Sequence, residues 1–220
     1  MIWLAILSVV VAYLLGSINF AVIFTKKINK IDVRDYGSGN AGSTNAMRVG
    51  GKLTGILTFI CDFLKGALSS FIGLKVFEYI SNHSDYSWSM PVYGAYVCGI
   101  MCMIGHVYPI FFGFKGGKAV ATGAGVFLPF TPLTTAIGLL TFAIVTIIIG
   151  YVSIGSITAA TVAVITACLI DHSEGNIIVK VILASIIGII IILKHIINIK
   201  RIIRGEESNI HKEKKEKCQK

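Results

Sequence analysis

The 220-residue chain is short of charge. Asp, Glu, Lys and Arg make up 14% of it, against roughly a quarter in a soluble domain. Such a chain lacks the polar surface to cover a globule in water, and a soluble fold is excluded. With 55% hydrophobic residues and a mean hydropathy of +0.79, intrinsic disorder is excluded as well. Four prolines and no Gly-X-Y period exclude collagen. The five cysteines, Cys61, Cys98, Cys102, Cys168 and Cys218, form no CxxC pair, and four lie inside apolar runs. A zinc site and a disulfide scaffold are therefore not expected. No DxD cluster is present, which disfavours magnesium-dependent phosphotransfer, and no base-reading motif points to nucleic acid.

What remains is a single all-α, polytopic membrane domain over residues 1–204. A spanning helix needs about 20 mainly apolar residues. Spans are expected at 3–24, 53–77, 90–112, 119–130, 133–150, 156–170 and 177–194. The fourth is short and bounded by Pro129 and Pro132, so a re-entrant hairpin stays open there. The net charge of +9 is unevenly placed: seventeen of twenty Lys and Arg fall in 25–52, 113–118 and 194–220. By the positive-inside bias these segments are cytoplasmic, with the N-terminus outside. Segments 81–89 and Asp171–Asn176 are then external. Lys75 and Lys180 lie near span ends and are expected to snorkel. The stretch 205–220 reads as a solvated, partly disordered basic tail.

Four segments on the expected cytoplasmic side carry chemistry. The first runs Gly37-Ser38-Gly39-Asn40-Ala41-Gly42-Ser43-Thr44-Asn45, with Arg48 beyond. It contains GxGxxG, but no buried strand precedes it and the acidic residue near the required spacing, Asp62, sits inside a span, so the dinucleotide reading fails. Its glycines can bring backbone N–H groups to an anion, and Arg48 can hold a phosphate bidentately. The second is Lys115-Gly116-Gly117-Lys118, which is no Walker loop but offers amides and charge; His106 lies upstream at a span end. The third is Tyr151-Val152-Ser153-Ile154-Gly155-Ser156, where a hydroxyl back-bonded within a helix is commoner than a nucleophile. The fourth is His195, Asn198 and Arg201 along one helix face. Asp62 and Lys65 lie three apart inside the second span and read as a supporting ion pair. The convergence of these segments at one face suits two phosphate-bearing molecules beside the lipid.

Together these motifs resemble the bacterial integral-membrane acyl-phosphate:glycerol-3-phosphate acyltransferase family over nearly the whole chain. Gly16-Ser17-Ile18, Asp62-x-x-Lys65-Gly66 and Asn198-Ile199-x-Arg201 add to the likeness. The His-x4-Asp motif of other glycerolipid acyltransferases is absent. Departures are Asn19 for a usual Pro, Ser43 for Ala, Ala119 for Gly, and Ile196-Ile197 for a polar pair. The resemblance implies seven spans, a cytoplasmic site in a bacterial inner membrane, and acyl transfer from acyl phosphate to the 1-hydroxyl of glycerol 3-phosphate, giving lysophosphatidic acid. It implies no cofactor and no metal. Besides the two substrates and membrane lipid, the enzyme that makes acyl phosphate is a candidate partner. On this reading His195, Asn198 and Ser38 are catalytic. Arg48 and Lys118 bind phosphate with Ser38, Gly39, Asn40, Gly42, Thr44, Asn45, Gly116 and Gly117. Ser153 and Ser156 are candidate substrate contacts. Whether His195 or a substrate phosphate takes the hydroxyl proton stays open, and the runner-up function is transport of phosphate esters or other anions.

Overall fold

The first apolar run does not form one helix. In a computed structural model, which describes residues 1–173 and 175–212, α1 (Ile2–Gly16) stops in mid-run. Ser17 turns its hydroxyl back to the Tyr13 carbonyl at 2.9 Å, and Asn19 caps α2 (Phe20–Phe24) by accepting from the Val22 amide at 3.1 Å. Both side chains compete with the helix for backbone groups, which is why the expected continuous span 3–24 breaks. A π turn, Thr25–Asn29, completes the segment.

The break would leave carbonyls bare at membrane depth, a cost of several kcal/mol each. Lys65 meets it. Its Nζ donates to the carbonyls of Gly16 (3.0 Å) and Ile18 (2.8 Å) and lies 2.9 Å from Asp62 Oδ1. His106 Nδ1 stands 3.5 Å from the same carboxylate oxygen, and all three side chains are buried. They come from α3 (Ser43–Asn82) and α4 (Pro91–Val107), which pack on α1. Small residues permit the approach: a methyl on Gly16 would strike the Cys102 backbone. Gly51, at φ 87°, separates the first two turns or so of α3 from the long rod beyond it, so helix begins inside the polar stretch 32–52.

The expected fourth span is also broken. Only α5 (Val120–Phe127) is helical there, about 12 Å long, less than half of a ~30 Å hydrocarbon core. A turn over 128–131 leads to α6 (Pro132–Ile149), followed by α7 (Val152–Ile170), α8 (Ile177–Lys194) and the short α9 (Ile196–Ile203). Six helical segments are long and apolar enough to cross a membrane, and the described residues contain no strand.

One end of the bundle gathers the loops that matter. Arg34 donates to the Phe112 carbonyl at 2.8 Å, joining the loop after α2 to the loop after α4. Residues 205–212, expected as free tail, fold back instead. The Ile210 amide donates to the Gly150 carbonyl at 3.0 Å, and Asn209 reaches the Ile149 carbonyl at 3.3 Å. Residues 213–220 lie outside the described part. At the far end Lys180 does not snorkel. It is buried and donates to the carbonyls of Asp171 (3.0 Å) and Ser173 (2.8 Å), closing the turn between α7 and α8. Lys75 stays exposed beside Glu78.

Replacing Lys65 with Ala strands a buried carboxylate and two bare carbonyls. Loss of a partner from a buried pair costs about 3–5 kcal/mol. Denaturant unfolding in detergent is expected to show a loss of that size.

Candidate active site

The site begins with a braced loop. Gly37 and Gly39, both left-handed (φ 62° and 70°), turn the chain sharply before α3. Asn45 holds that turn: its Oδ1 accepts from the Ser38 amide (3.0 Å), and its Nδ2 donates to the carbonyls of Val33 and Tyr36 (both 3.0 Å). Expected among the phosphate donors, Asn45 thus has both ends of its amide engaged in shaping the loop. Asp32 braces the approach, and its hydrogen bonds from Arg34 hold its carboxyl well below the usual range despite partial burial.

Three helices begin at one cavity of about 460 Å³, and none has a side-chain cap. They are α3 at Gly42, α5 at Ala119 and α7 at Tyr151. Each start leaves amides without intrahelical partners and carries a partial positive charge. Such ends bind anions. Ser38, Asn40, Gly42, Thr44, Asn45 and Arg48 line the cavity from the first loop. Gly39, Gly116 and Gly117 do not. Gly117 donates its amide to the His106 carbonyl at 3.1 Å, and a methyl on Gly116 or Gly117 would strike His106. These two glycines let the loop pass close over α4 and deliver Lys118.

Lys118 donates to Asn198 Oδ1, and Asn198 Nδ2 donates to Glu207 Oε1 at 2.7 Å. Ser153 Oγ donates to the same carboxylate oxygen at 3.0 Å. Ser156 lines the wall but back-bonds to the Val152 carbonyl at 2.8 Å. Arg48 Nη2 donates to Ser208 Oγ at 2.7 Å, and Arg201 borders the same space. Burial depresses the Lys118 ammonium to about 8. His195 is pushed down to about 4, first by burial and then by the Lys118 charge, so its ring is neutral at pH 7. Its Nδ1 lies 2.7 Å from the Ile191 carbonyl. A carbonyl only accepts, so Nδ1 carries the proton and Nε2 carries the lone pair.

Glu207 and Ser208 escaped the sequence reading, which took them as solvated tail. The available signal was an acidic doublet, Glu206-Glu207, in an otherwise basic stretch. Below the polar mouth the cavity turns apolar, walled by Leu139, Phe142, Ala159, Ala163 and Ile191.

The cavity thus joins a cationic mouth to an apolar interior. The pattern of the family described as glycerol-3-phosphate acyltransferase matches residues 6–205. The chain belongs to this family. Glycerol-3-phosphate acyltransferase of Finegoldia magna is 39% identical over 92% of this chain and 94% of its own length. Glycerol-3-phosphate acyltransferase 2 of Bacillus anthracis is 40% identical over 93% and 98%. The crystal structure of PlsY (YgiH), an integral membrane glycerol 3-phosphate acyltransferase in its glycerol 3-phosphate form, superposes with a TM-score of 0.80 at 36% identity. It covers 93% of this chain and 94% of that one. Its lysophosphatidic acid form gives 0.78.

Lys118 is charged below about pH 8 and neutral above it. Binding of sulfate, whose own charge is constant in this range, is expected to weaken as pH rises through 8. Calorimetry on Lys118→Arg is expected to lack that alkaline limb, because guanidinium does not titrate there.

Proposed function

We propose that this chain transfers a fatty acyl group from acyl phosphate to the 1-hydroxyl of glycerol 3-phosphate, giving lysophosphatidic acid and phosphate. The observation that carries the reading is a single cavity whose mouth suits two phosphates and whose interior suits an alkyl chain. The arginine and lysine bias of the loop-bearing end supports a site on the cytoplasmic face of a bacterial inner membrane, with the N-terminus outside. A membrane-apposed enzyme that makes acyl phosphate is the natural supplier.

An acyl phosphate is already activated, since phosphate is a good leaving group. The protein's task is to hold two anions in register and aim a hydroxyl at the acyl carbonyl carbon. Arg48, Ser38, Thr44 and the α3 amides take one phosphate. Lys118 and the α5 amides take the other and stabilise charge as it passes to the leaving oxygen. His195 Nε2 accepts the hydrogen bond of the attacking hydroxyl, and Asn198 steadies the headgroup. The new C–O ester bond forms as the acyl carbon–oxygen bond to phosphate breaks. The hydroxyl proton ends on the released phosphate, which balances the reaction without an acyl-enzyme.

Purified protein given acyl phosphate and glycerol 3-phosphate is expected to yield lysophosphatidic acid, and acyl-CoA or acyl carrier protein in its place is not. Arg48→Ala is expected to lower kcat/KM about 100-fold or more, the usual cost of an electrostatic contact to developing charge. Wild-type turnover by folded Arg48→Ala, or an acyl group trapped on Ser153 in mass spectra, overturns this scheme.

A further inference from the structure

The cavity has a floor as well as a mouth. Of the helices that line it, α5, α6, α7 and α8 carry the lining deepest, and each stops within about 10–15 Å of its mouth end. From the 1.5 Å rise per residue, the lining extends about 15 Å down α7 (Ser153 to Ala163) and about 12 Å along α8 (His195 to Ile187). It extends about 12 Å along α6 (Phe142 to Thr134) and about 10 Å along α5 (Val120 to Phe127). Three of the residues at those lower limits are sealed, Phe127, Thr134 and Ile187 being 2%, 0% and 1% exposed, while Ala163 on α7 is half-buried.

Phe127 is the bulky member of that floor, and it is wedged in place. Its ring meets Tyr96 edge-on at 6.2 Å and lies 5.9 Å from Phe130, while Tyr96 and Phe130 are 4.7 Å apart. Thr135 pins α6 to α5 beside it, donating to the Ala124 carbonyl at 3.1 Å. One side of the wall above is small, the α6–α7 seam of Gly138, Ala159, Ala160 and Ala163, facing Leu139, Phe142 and Ile191. A methyl on Gly138 would sit 3.6 Å from the Ala163 Cβ, in ordinary contact, and Ala159 and Ala160 continue the same slot. This seam over a fixed aromatic floor leaves a narrow channel with a defined end.

We propose that this closed end is a ruler for the donor's acyl chain and that Phe127 is its stop. The inference rests on the acyl-transfer reading above and adds a specificity determinant to it. An extended saturated chain advances about 1.25 Å per carbon, so the lining, counted from the mouth residues themselves, takes roughly eight to twelve carbons. Each methylene added within the channel is worth roughly fourfold in kcat/KM. A carbon beyond the floor adds nothing, because the chain must bend back or leave between the helices. Removing the Phe127 ring lengthens the channel by roughly three carbons, the reach from its Cβ to the ring tip. A larger side chain at Ala163 shortens it.

The test is a competition between two saturated acyl phosphates, one ending short of the wild-type cutoff and one beyond it, at fixed glycerol 3-phosphate. The ratio of their kcat/KM values is independent of how much of each sample is folded. Phe127→Ala is expected to raise the long-to-short ratio at least about tenfold. Ala163→Leu is expected to move the cutoff to shorter chains and lower the same ratio. Transfer with an unchanged ratio in both variants overturns the ruler and leaves the reaction standing. No transfer from any acyl phosphate by the wild-type protein overturns both.

Discussion

Bare backbone groups inside a bilayer have no water to satisfy them, and this protein breaks its helices inside one. The ammonium of Lys65 makes the first break possible, donating to both freed carbonyls of the α1–α2 joint. A lone buried cation costs about 2.5–3.5 kcal/mol on insertion scales, so Asp62 is required beside it. Asp62 and His106 in turn border the cavity, and His106 supports the Gly116–Gly117 crossing that delivers Lys118. The break also redirects α2, so that the loop after it lies across the bundle end and Arg34 reaches Phe112. Architecture and site are thus one connected set of polar contacts.

In the proposed scheme, helix starts suit the load better than a simple cluster of lysines would. Two phosphate dianions about 6 Å apart, at an effective dielectric near 20, repel by roughly 11 kcal/mol. Mobile ammonium groups at a wet surface are screened and lose side-chain entropy on binding. Backbone amides at three uncapped helix starts are already ordered and already aimed. Glu207 fits the same logic for the substrate-free protein. Its carboxylate stands among Lys118, Asn198 and Ser153 and balances cationic charge there. Ser153 donates its hydroxyl proton to that carboxylate in the substrate-free protein.

Much of this was legible in the letters. Apolar run lengths placed most of the long helices, and the glycine–hydroxyl–amide loop with Arg48, singled out for its chemistry, lines the cavity. The breaks were not legible, because hydropathy averages over Gly16-Ser17-Ile18 without registering that Ser17 and Asn19 divert backbone hydrogen bonds. The fourth span failed similarly: its apolar count is adequate, but Pro132 starts a new helix and leaves α5 only eight residues long. Lys180 sat near a span end, where snorkelling is the default, and only the folded turn shows two carbonyls waiting for it. Gly116 and Gly117 were read as anion binders, whereas their lack of Cβ serves the passage over His106. Glu207 was hidden for a different reason. Its role depends on a fold-back of the chain across Gly150, a contact sixty residues away in sequence.

The state of His195 decides how the proton moves. A ring depressed to about 4 is a poor resting place for a proton, which argues against His195 as the final acceptor. Part of that depression comes from the Lys118 charge, however, and a phosphate docked on Lys118 offsets it. In the proposed scheme, substrate binding then makes Nε2 more basic at the moment a hydroxyl must be polarised. Release of phosphate then provides a stronger base within the same cavity, and the proton follows the charge. A histidine kept neutral when the site is empty, and strengthened only by its substrates, can orient the attacking hydroxyl without trapping the product proton.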